Sequence, residues 1–340
     1  MRLGVLAPAE IAARRFLPAL AEAPKFEFAG VAVPAPDERV PSASRKADGG
    51  AVVADRAKAK ALVAEHGGQT YKDMRSMIED PTIDAVYVPL PPSLHAVWGL
   101  RAIQAGKHLL MEKPFATSLP ETACLLDAAR SRGLAVHENY MFAYHAQLAA
   151  LDAIIASEIG AVRNVTIHFG FPRRPLTDFR YDAALGGGAL NDMGGYALAY
   201  ASRLLGGQAT VVAAASSSVD GFGVDVYGSA TLVGASGAVA QIAFGMDNAY
   251  RCNLDVWGSL GSLTSGRVLT APAGFVPTAT VTTATGAQER DLPADDTFAK
   301  SLEVFAACVD DEAARKRRLG EIRSQAELVD QFRRVAGGLR

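Results

Sequence analysis

The sequence predicts an α/β domain built on a parallel sheet, followed by an α+β domain with a largely antiparallel open sheet. Three observations lead there. In the first 140 residues short apolar runs alternate with helical stretches, the pattern of βαβ units with right-handed crossovers. After residue 140 strand-like runs follow one another through Gly-rich turns, as antiparallel strands do. The run Leu109-Leu110-Met111 passes directly into Glu112-Lys113-Pro114. A lysine therefore stands at the carboxyl end of a buried strand, outside which open α/β sheets bind ligands. Pro114 fixes its own φ and keeps Lys113 out of the helical region.

The parallel strands are read as Arg2–Leu6, Glu27–Val33, Asp84–Val88 and Lys107–Met111, with Leu134–His137 a shorter fifth. Helices are expected over about 10–22, 56–66, 94–105 and 120–132. In the third of these Leu94, Val97, Trp98, Arg101, Ala102 and Ala105 recur at helical spacing. Pro89, Pro91 and Pro92 stop the strand before it. A boundary near residue 140 gives domains 1–140 and 141–340. In the second, strands are expected at Val162–Phe171, Val211–Ser217, Val226–Val233, Val239–Gly245 and Leu254–Trp257. Gly234–Gly237 and Gly258–Gly261 read as hairpin turns. Helices are expected near 146–156, 188–204, 298–310 and 321–336, the C-terminal ones packing back. Residues 34–54, rich in Pro, Ser, Ala and Gly, show no periodicity. Loops after such strands usually run roughly two to six residues, so this one reads as functional or disordered.

The chain has 340 residues, 49% hydrophobic and 21% charged, an ordinary soluble composition of two-domain length. A net charge of −2 gives no reason to expect nucleic acid or an anionic membrane surface. The run Arg315-Lys316-Arg317-Arg318 reads as a solvated face between two helical segments. No apolar stretch approaches the roughly 18–20 residues that span a bilayer, and no signal peptide is read at the start. Cys124, Cys252 and Cys308 are scattered; they suggest neither a metal site nor a disulfide framework and fit a reducing cytoplasm. The six histidines show no ligand spacing, so no metal is expected.

Two motifs carry chemistry. After the first strand, Ala7-Pro8-Ala9-Glu10-Ile11-Ala12 has the spacing of a dinucleotide-binding turn, with alanine at both leading glycine positions. The acidic residue that usually ends the second strand is replaced by Val33-Pro34, with Asp37, Arg39, Arg45 and Lys46 following. Residues 186–196 read Gly-Gly-Gly-Ala-Leu-Asn-Asp-Met-Gly-Gly-Tyr. Asp192 and Tyr196, four apart, share a helical face. They read either as a site or as a dipole-favoured aspartate and a packed tyrosine.

Together Leu94-His95, Ala105-Gly106-Lys107-His108, Glu112-Lys113-Pro114 and Gly186–Tyr196 resemble the Gfo/Idh/MocA oxidoreductases over essentially the whole chain. Tyr87-Val88-Pro89-Leu90-Pro91, Glu138–Phe142, Arg180-Tyr181, Phe244-Gly245-Met246 and Asp296–Ser301 look closest to the NDP-hexose 3-ketoreductases. The resemblance implies an NAD(P)-binding Rossmann-type domain and a substrate domain. It implies Lys113 as the catalytic lysine, Asp192 as the active-site aspartate and Tyr196 at a position that is histidine in some members. The cofactor is NADP or NAD, with NADP favoured, and its loop maps to Ala7, Ala9, Glu10, Ile11 and Ala12. Pro91, His95, Glu112, Lys113 and Arg180 are further cofactor candidates. Pro92 stands where many members have asparagine. Arg180 also reads as a surface arginine, and His95 as a plain helix-start histidine.

The implied reaction moves hydride between a nicotinamide and a sugar carbonyl. Tyr196 donates the proton, and Lys113 favours the phenolate and steadies charge on the oxygen. Asp192 orients Lys113 or accepts from a substrate hydroxyl. Three readings follow: a sugar or NDP-sugar ketoreductase; a dehydrogenase of free sugars, polyols or dihydrodiols; and a non-catalytic nucleotide- or sugar-binding relic. The resemblance also implies a homo-oligomer, dimer or tetramer, paired through the open face of the second sheet. Val226, Leu232, Val239, Ile242 and Phe244 are the apolar residues that could serve the core or that interface.

Overall fold

A computed structural model of the chain describes residues 1–40, 49–219 and 221–338. They form two compact units. The first comprises Met1–Asn139, Thr177–Gly187 and Phe298–Ala326; the second comprises Tyr140–Leu176, Gly188–Thr297 and Glu327–Arg340. Two segments that follow residue 140 thus count with the first unit.

The first unit is built on β1 (Arg2–Val5), β2 (Glu27–Ala32), β3 (Gln69–Tyr71), β4 (Ala85–Val88), β5 (His108–Met111) and β6 (Val136–Glu138). All pair in parallel, in the order β3-β2-β1-β4-β5-β6. Every residue of β4, and Leu109 to Met111 of β5, is buried, which is why these strands read as unbroken apolar runs. The crossovers carry α1 (Leu17–Ala21), α2 (Gly49–His66), α3 (Met74–Glu79), α4 (His95–Gln104) and α5 (Leu119–Ser131). A π-type turn over Ala12–Phe16 leads into α1. Asp73 opens α3 by accepting from Ser76 N at 2.7 Å. In α4 the residues Trp98, Ala102 and Ile103 face the core.

The expected five strands are all present, and β3 and α3 come in addition. Each is too short to show a period, and β3 exposes two of its three residues. Of the segment 34–54, residues 41–48, with Arg45 and Lys46, lie outside the described residues. Residues 49–54 open α2.

In the second unit α6 (Ala146–Ile154) precedes β7 (Val162–Gly170), and α7 (Gly195–Leu204) precedes β8 (Ala209–Ser217). Then come β9 (Tyr227–Gly234), β10 (Val239–Gly245), β11 (Arg251–Gly258), β12 (Gly261–Gly266), β13 (Thr278–Thr283) and β14 (Gly286–Asp291). The sheet order is β14-β13-β12-β11-β7-β10-β9-β8. Among the described strands of this sheet, only the β7–β10 pair is parallel. Both expected hairpin turns join antiparallel neighbours. The sequence does not announce β12 to β14, because their Gly, Ser and Thr residues give little apolar alternation, and β14 is almost wholly exposed. Val226, Leu232, Ile242 and Phe244 are all buried in the core. The large apolar side chains left outside are others, among them Trp257 at 66% exposure.

The C-terminal stretch forms α8 (Thr297–Asp310) and α9 (Glu312–Gly337). The basic run lies inside α9, not between two helices, and only part of it is a solvated face. Arg315 donates to the carbonyls of Cys308 and Val309 at 3.0 and 2.7 Å, closing the carboxyl end of α8. Arg318 donates to Glu138 O at 2.8 Å.

Candidate active site

Parallel pairing brings the carboxyl ends of β1, β4, β5 and β6 to one edge of the first sheet. Glu112 N donates to Val88 O at 3.2 Å and Asn139 N to Met111 O at 2.9 Å. The turn that begins at Glu112 is thus tied to both neighbouring strands. The Lys113-Pro114 peptide is cis. Behind it, three buried or half-buried side chains grip the turn.

The first is Glu112 itself. Its Oε1 accepts from Tyr87 Oη and from Asn139 Nδ2, each at 2.7 Å. Burial pushes this carboxyl above the usual range, against both donors and the nearby Lys113 charge. The second is Glu138, 4% exposed, whose Oε1 accepts from Phe115 N at 2.7 Å. Burial raises its carboxyl to about 7, outweighing the Phe115 hydrogen bond and the charges of Arg318 and Lys113. The third is His95, wholly buried at the start of α4. Its Nδ1 lies 2.7 Å from Pro114 O and its Nε2 2.8 Å from Leu90 O. Burial lowers its pKa to about 4, so the ring is neutral and donates to one of these carbonyls at a time. Both nitrogens face backbone carbonyls, so the ring ties two loops together.

The turn after β1 carries methyl groups where a dinucleotide-binding turn has its leading glycines. Ala9 N donates to Ala7 O at 2.8 Å, and Ala13 N to Ala9 O at 3.1 Å as the helix begins. Ala7, Ala9 and Ile11 are half-buried and Ala12 is fully buried. Glu10 is exposed and pairs with Arg14 at 2.7 Å. Phe16, one turn on, stacks on Tyr87 at 3.8 Å between ring centroids.

Pro91 accepts from Leu94 N at 2.9 Å, starting the turn into α4. The glycine run packs against this loop. A Cβ on Gly186 would lie 2.8 Å from Ser93 N, and its φ is +76°; a side chain there meets both a clash and an unfavourable backbone. Arg180, in the same segment, donates to Asp178 Oδ1 at 3.2 Å, with its guanidinium 4.6 Å over Phe179.

Beyond β2, Glu38 carries no signal in the sequence, yet it is 3% exposed. Its carboxylate accepts from Ala35 N and Met74 N at 2.9 Å and from Arg75 N at 3.1 Å. Asp37 pairs with Arg75 at 2.8 Å, and this hydrogen bond holds its carboxyl below the ordinary value. Arg39 pairs with Asp55 at 2.9 Å.

In the second unit the helix that carries Asp192 and Tyr196 is anchored at its first turn. Asp225 accepts from Leu190 N through Oδ2 at 2.7 Å, and its carbonyl accepts from Ala189 N at 2.8 Å. Burial raises the Asp225 carboxyl. Gly188 has φ +116°, and a Cβ there would collide with that carboxylate. A π-type turn over Leu190–Gly194 separates this anchor from α7; such turns are frequent at functional sites. Arg333 donates to Asn191 Oδ1 at 2.6 Å. Tyr196, 5% exposed, sits among Tyr140, Phe142 and Phe169 at 5.0, 5.4 and 5.5 Å between ring centroids. Its Oη donates to Met141 Sδ at 3.4 Å. Asp192 is half-buried.

Glu112, Lys113, His95, Pro91 and the loop 7–12 therefore gather along one edge of the first sheet. Asp192 and Tyr196 gather at the start of α7. Sequence reasoning misses Glu38, Glu138 and Asp225. A lone carboxylate gives no sequence signal of burial, and except for Ala35 N the backbone N–H groups they hold are distant in the chain. Among the described residues no His, Cys, Asp or Glu group is arranged to hold a metal. No helix there is long and apolar enough to cross a membrane.

Residues 12–140 match an oxidoreductase family with an NAD-binding Rossmann fold, and residues 148–264 match the GFO/IDH/MocA C-terminal domain. The chain is 39% identical to a dTDP-3,4-didehydro-2,6-dideoxy-alpha-D-glucose 3-reductase of Streptomyces violaceoruber, over 99% of this chain and 95% of that one. It is 38% identical to the protein of the same name from Actinomadura kijaniata, over 98% and 95%. Among solved structures, KijD10, a 3-ketoreductase from Actinomadura kijaniata in complex with NADP and TDP-benzene, superposes with a TM-score of 0.88. There the identity is 36%, covering 98% of this chain and 97% of that one.

Proposed function

This chain belongs to the Gfo/Idh/MocA oxidoreductase family, and from that premise we propose that it is an NADP-dependent ketoreductase acting on a nucleoside-diphosphate sugar. The observation that carries the reading is likeness along the whole chain, not in one domain, to 3-reductases of a dTDP-sugar. A fold relic would have no need to hold Lys113 in a turn gripped from three sides.

The residues present fit the cofactor. The sheet order reverses direction at β1, beside β4, where dinucleotides bind in such folds. The 7–12 turn leads into a helix start whose N–H groups suit a pyrophosphate. Support for NADP over NAD comes from the end of β2. A carboxylate there usually binds the ribose 2′-hydroxyl of NAD. Here Glu38 is committed to three backbone N–H groups, and Asp37 to Arg75. The cofactor, when bound, supplies hydride to the sugar's carbonyl carbon. Lys113 stabilises the charge that develops on the carbonyl oxygen. Tyr196 gives that oxygen its proton, and Asp192 accepts from a substrate hydroxyl. Pro91 and Arg180 line the cofactor side, and the enzyme works in the cytoplasm as a homo-oligomer.

A fluorescence titration with NADPH and NADH tests this directly. Saturable binding is expected in the micromolar range, tighter for NADPH. A folded protein that binds neither at millimolar concentration would return the chain to the non-catalytic reading. A panel of keto sugars with and without the nucleoside diphosphate then separates an NDP-sugar enzyme from one acting on free sugars.

A further inference from the structure

Behind Lys113 runs a chain of buried hydrogen bonds to which hydride transfer by itself gives no part. His137, Asn139 and Ser301 are each no more than 1% exposed. Ser301 Oγ donates to Asn139 Oδ1 at 2.7 Å. With its proton directed there, Oγ accepts from His137 Nε2 at 2.8 Å. Asn139 then uses its amide N–H to reach Glu112 Oε1 at 2.7 Å, the oxygen that Tyr87 also reaches at 2.7 Å. Every donor in this chain points toward one carboxylate oxygen, and that carboxylate belongs to the residue preceding Lys113.

Polar groups buried in such numbers add little to stability over apolar packing, and each becomes costly when its partner is lost. What such a network does supply is a single geometry. Ser301 comes from α8, nearly 190 residues downstream of Lys113; Tyr87 comes from β4 and Asn139 from the end of β6. The network therefore fixes Glu112 against three separate elements of the first unit. An ammonium that must meet a developing oxyanion has to be held closely, since a misplacement near 1 Å can cost on the order of 100-fold in rate.

We propose that Ser301 and Asn139 are positioning residues for Lys113, acting through Glu112. This rests on the reading of Lys113 as catalytic. In the full-length enzyme Ser301→Ala is expected to lower kcat about tenfold while NADPH affinity stays within about twofold. Added to Glu112→Gln it should lower kcat no further, because groups acting through one another are not additive. Tyr87→Phe withdraws the other donor from the same oxygen and keeps the ring on Phe16; it should lower kcat likewise, and it decides the matter alone if Ser301→Ala does not fold. A readout without substrate accompanies these. The rate at which an amine reagent labels Lys113, followed by mass spectrometry, should differ from wild type in both variants. Wild-type kcat and labelling in the folded variants, or a strictly additive double variant, overturns the proposal. Full turnover by Lys113→Ala would instead overturn the catalytic reading of Lys113, and the labelling rates would still report whether the network orients it.

Discussion

At the scale of single residues, the site depends on groups whose neighbours set their chemistry. Lys113 carries the only ammonium in the Glu112–Pro114 turn. Lys113→Ala is expected to lose about 100-fold or more in kcat with an NDP-keto sugar, the usual scale for a charge-stabilising or acid–base group. Tyr196→Phe should lose activity on the same scale; full activity in either would remove that residue from the mechanism. Glu138 makes a separate prediction, about pH. Its folded-state carboxyl is raised to about 7 from an ordinary 4.5. The folded protein then holds a proton that the unfolded chain releases. Stability from this group is whole below about pH 4.5 and fades as pH rises through 7. The loss amounts to about 3 kcal/mol by pH 8, since each tenfold gain in proton affinity is worth about 1.36 kcal/mol. Glu138→Gln keeps an acceptor for Phe115 N but cannot ionise. Urea denaturation between pH 5 and 8 should show a flatter decline for the variant, and equal slopes would place the Glu138 carboxyl in the ordinary range.

At the scale of elements, helix starts and strand ends do the positioning. Asp225 satisfies Leu190 N at the first turn of the helix that carries Asp192 and Tyr196. Asp225→Ala leaves that buried donor unmatched and should destabilise the protein by about 1–3 kcal/mol, measured by thermal or chemical denaturation. Gly188→Ala should be worse, because a methyl group meets both the Asp225 carboxylate and a φ of +116°. A stable Gly188→Ala protein would mean that this turn can take another path. In the first unit, Arg315 closes the end of α8, the helix that delivers Ser301. A basic run that looks like a solvated face in the sequence is thus partly a helix cap.

At the scale of the whole molecule, the open sheet of the second unit is the expected pairing surface. Val226, Leu232, Ile242 and Phe244 belong to the core there, while Trp257 and Leu260 stand 66% and 69% exposed. Scattered exposed apolar residues are ordinary, so the test is direct. Light scattering should give the mass of two or four chains, and Trp257→Glu should shift it downward. A monomer at micromolar concentration would remove the oligomer from the proposal.

The sequence by itself determined the two-part architecture and five of the six strands of the first sheet. Lys113, Asp192 and Tyr196 were legible as candidates because each sits in a local pattern: a proline-fixed strand end, or a glycine run leading into a helix. The short β3 and α3 and the strands from β12 out to the edge strand β14 were not, since too few alternating apolar residues mark them. Only the tertiary structure decided that His95 faces two backbone carbonyls, that Glu38 is closed to a ribose, and that Ser301 lies behind Glu112. The physical reason is the same in each case. A local pattern records what a residue needs from its chain neighbours. A buried polar side chain is defined by the partner that satisfies it, and that partner can stand anywhere in the sequence.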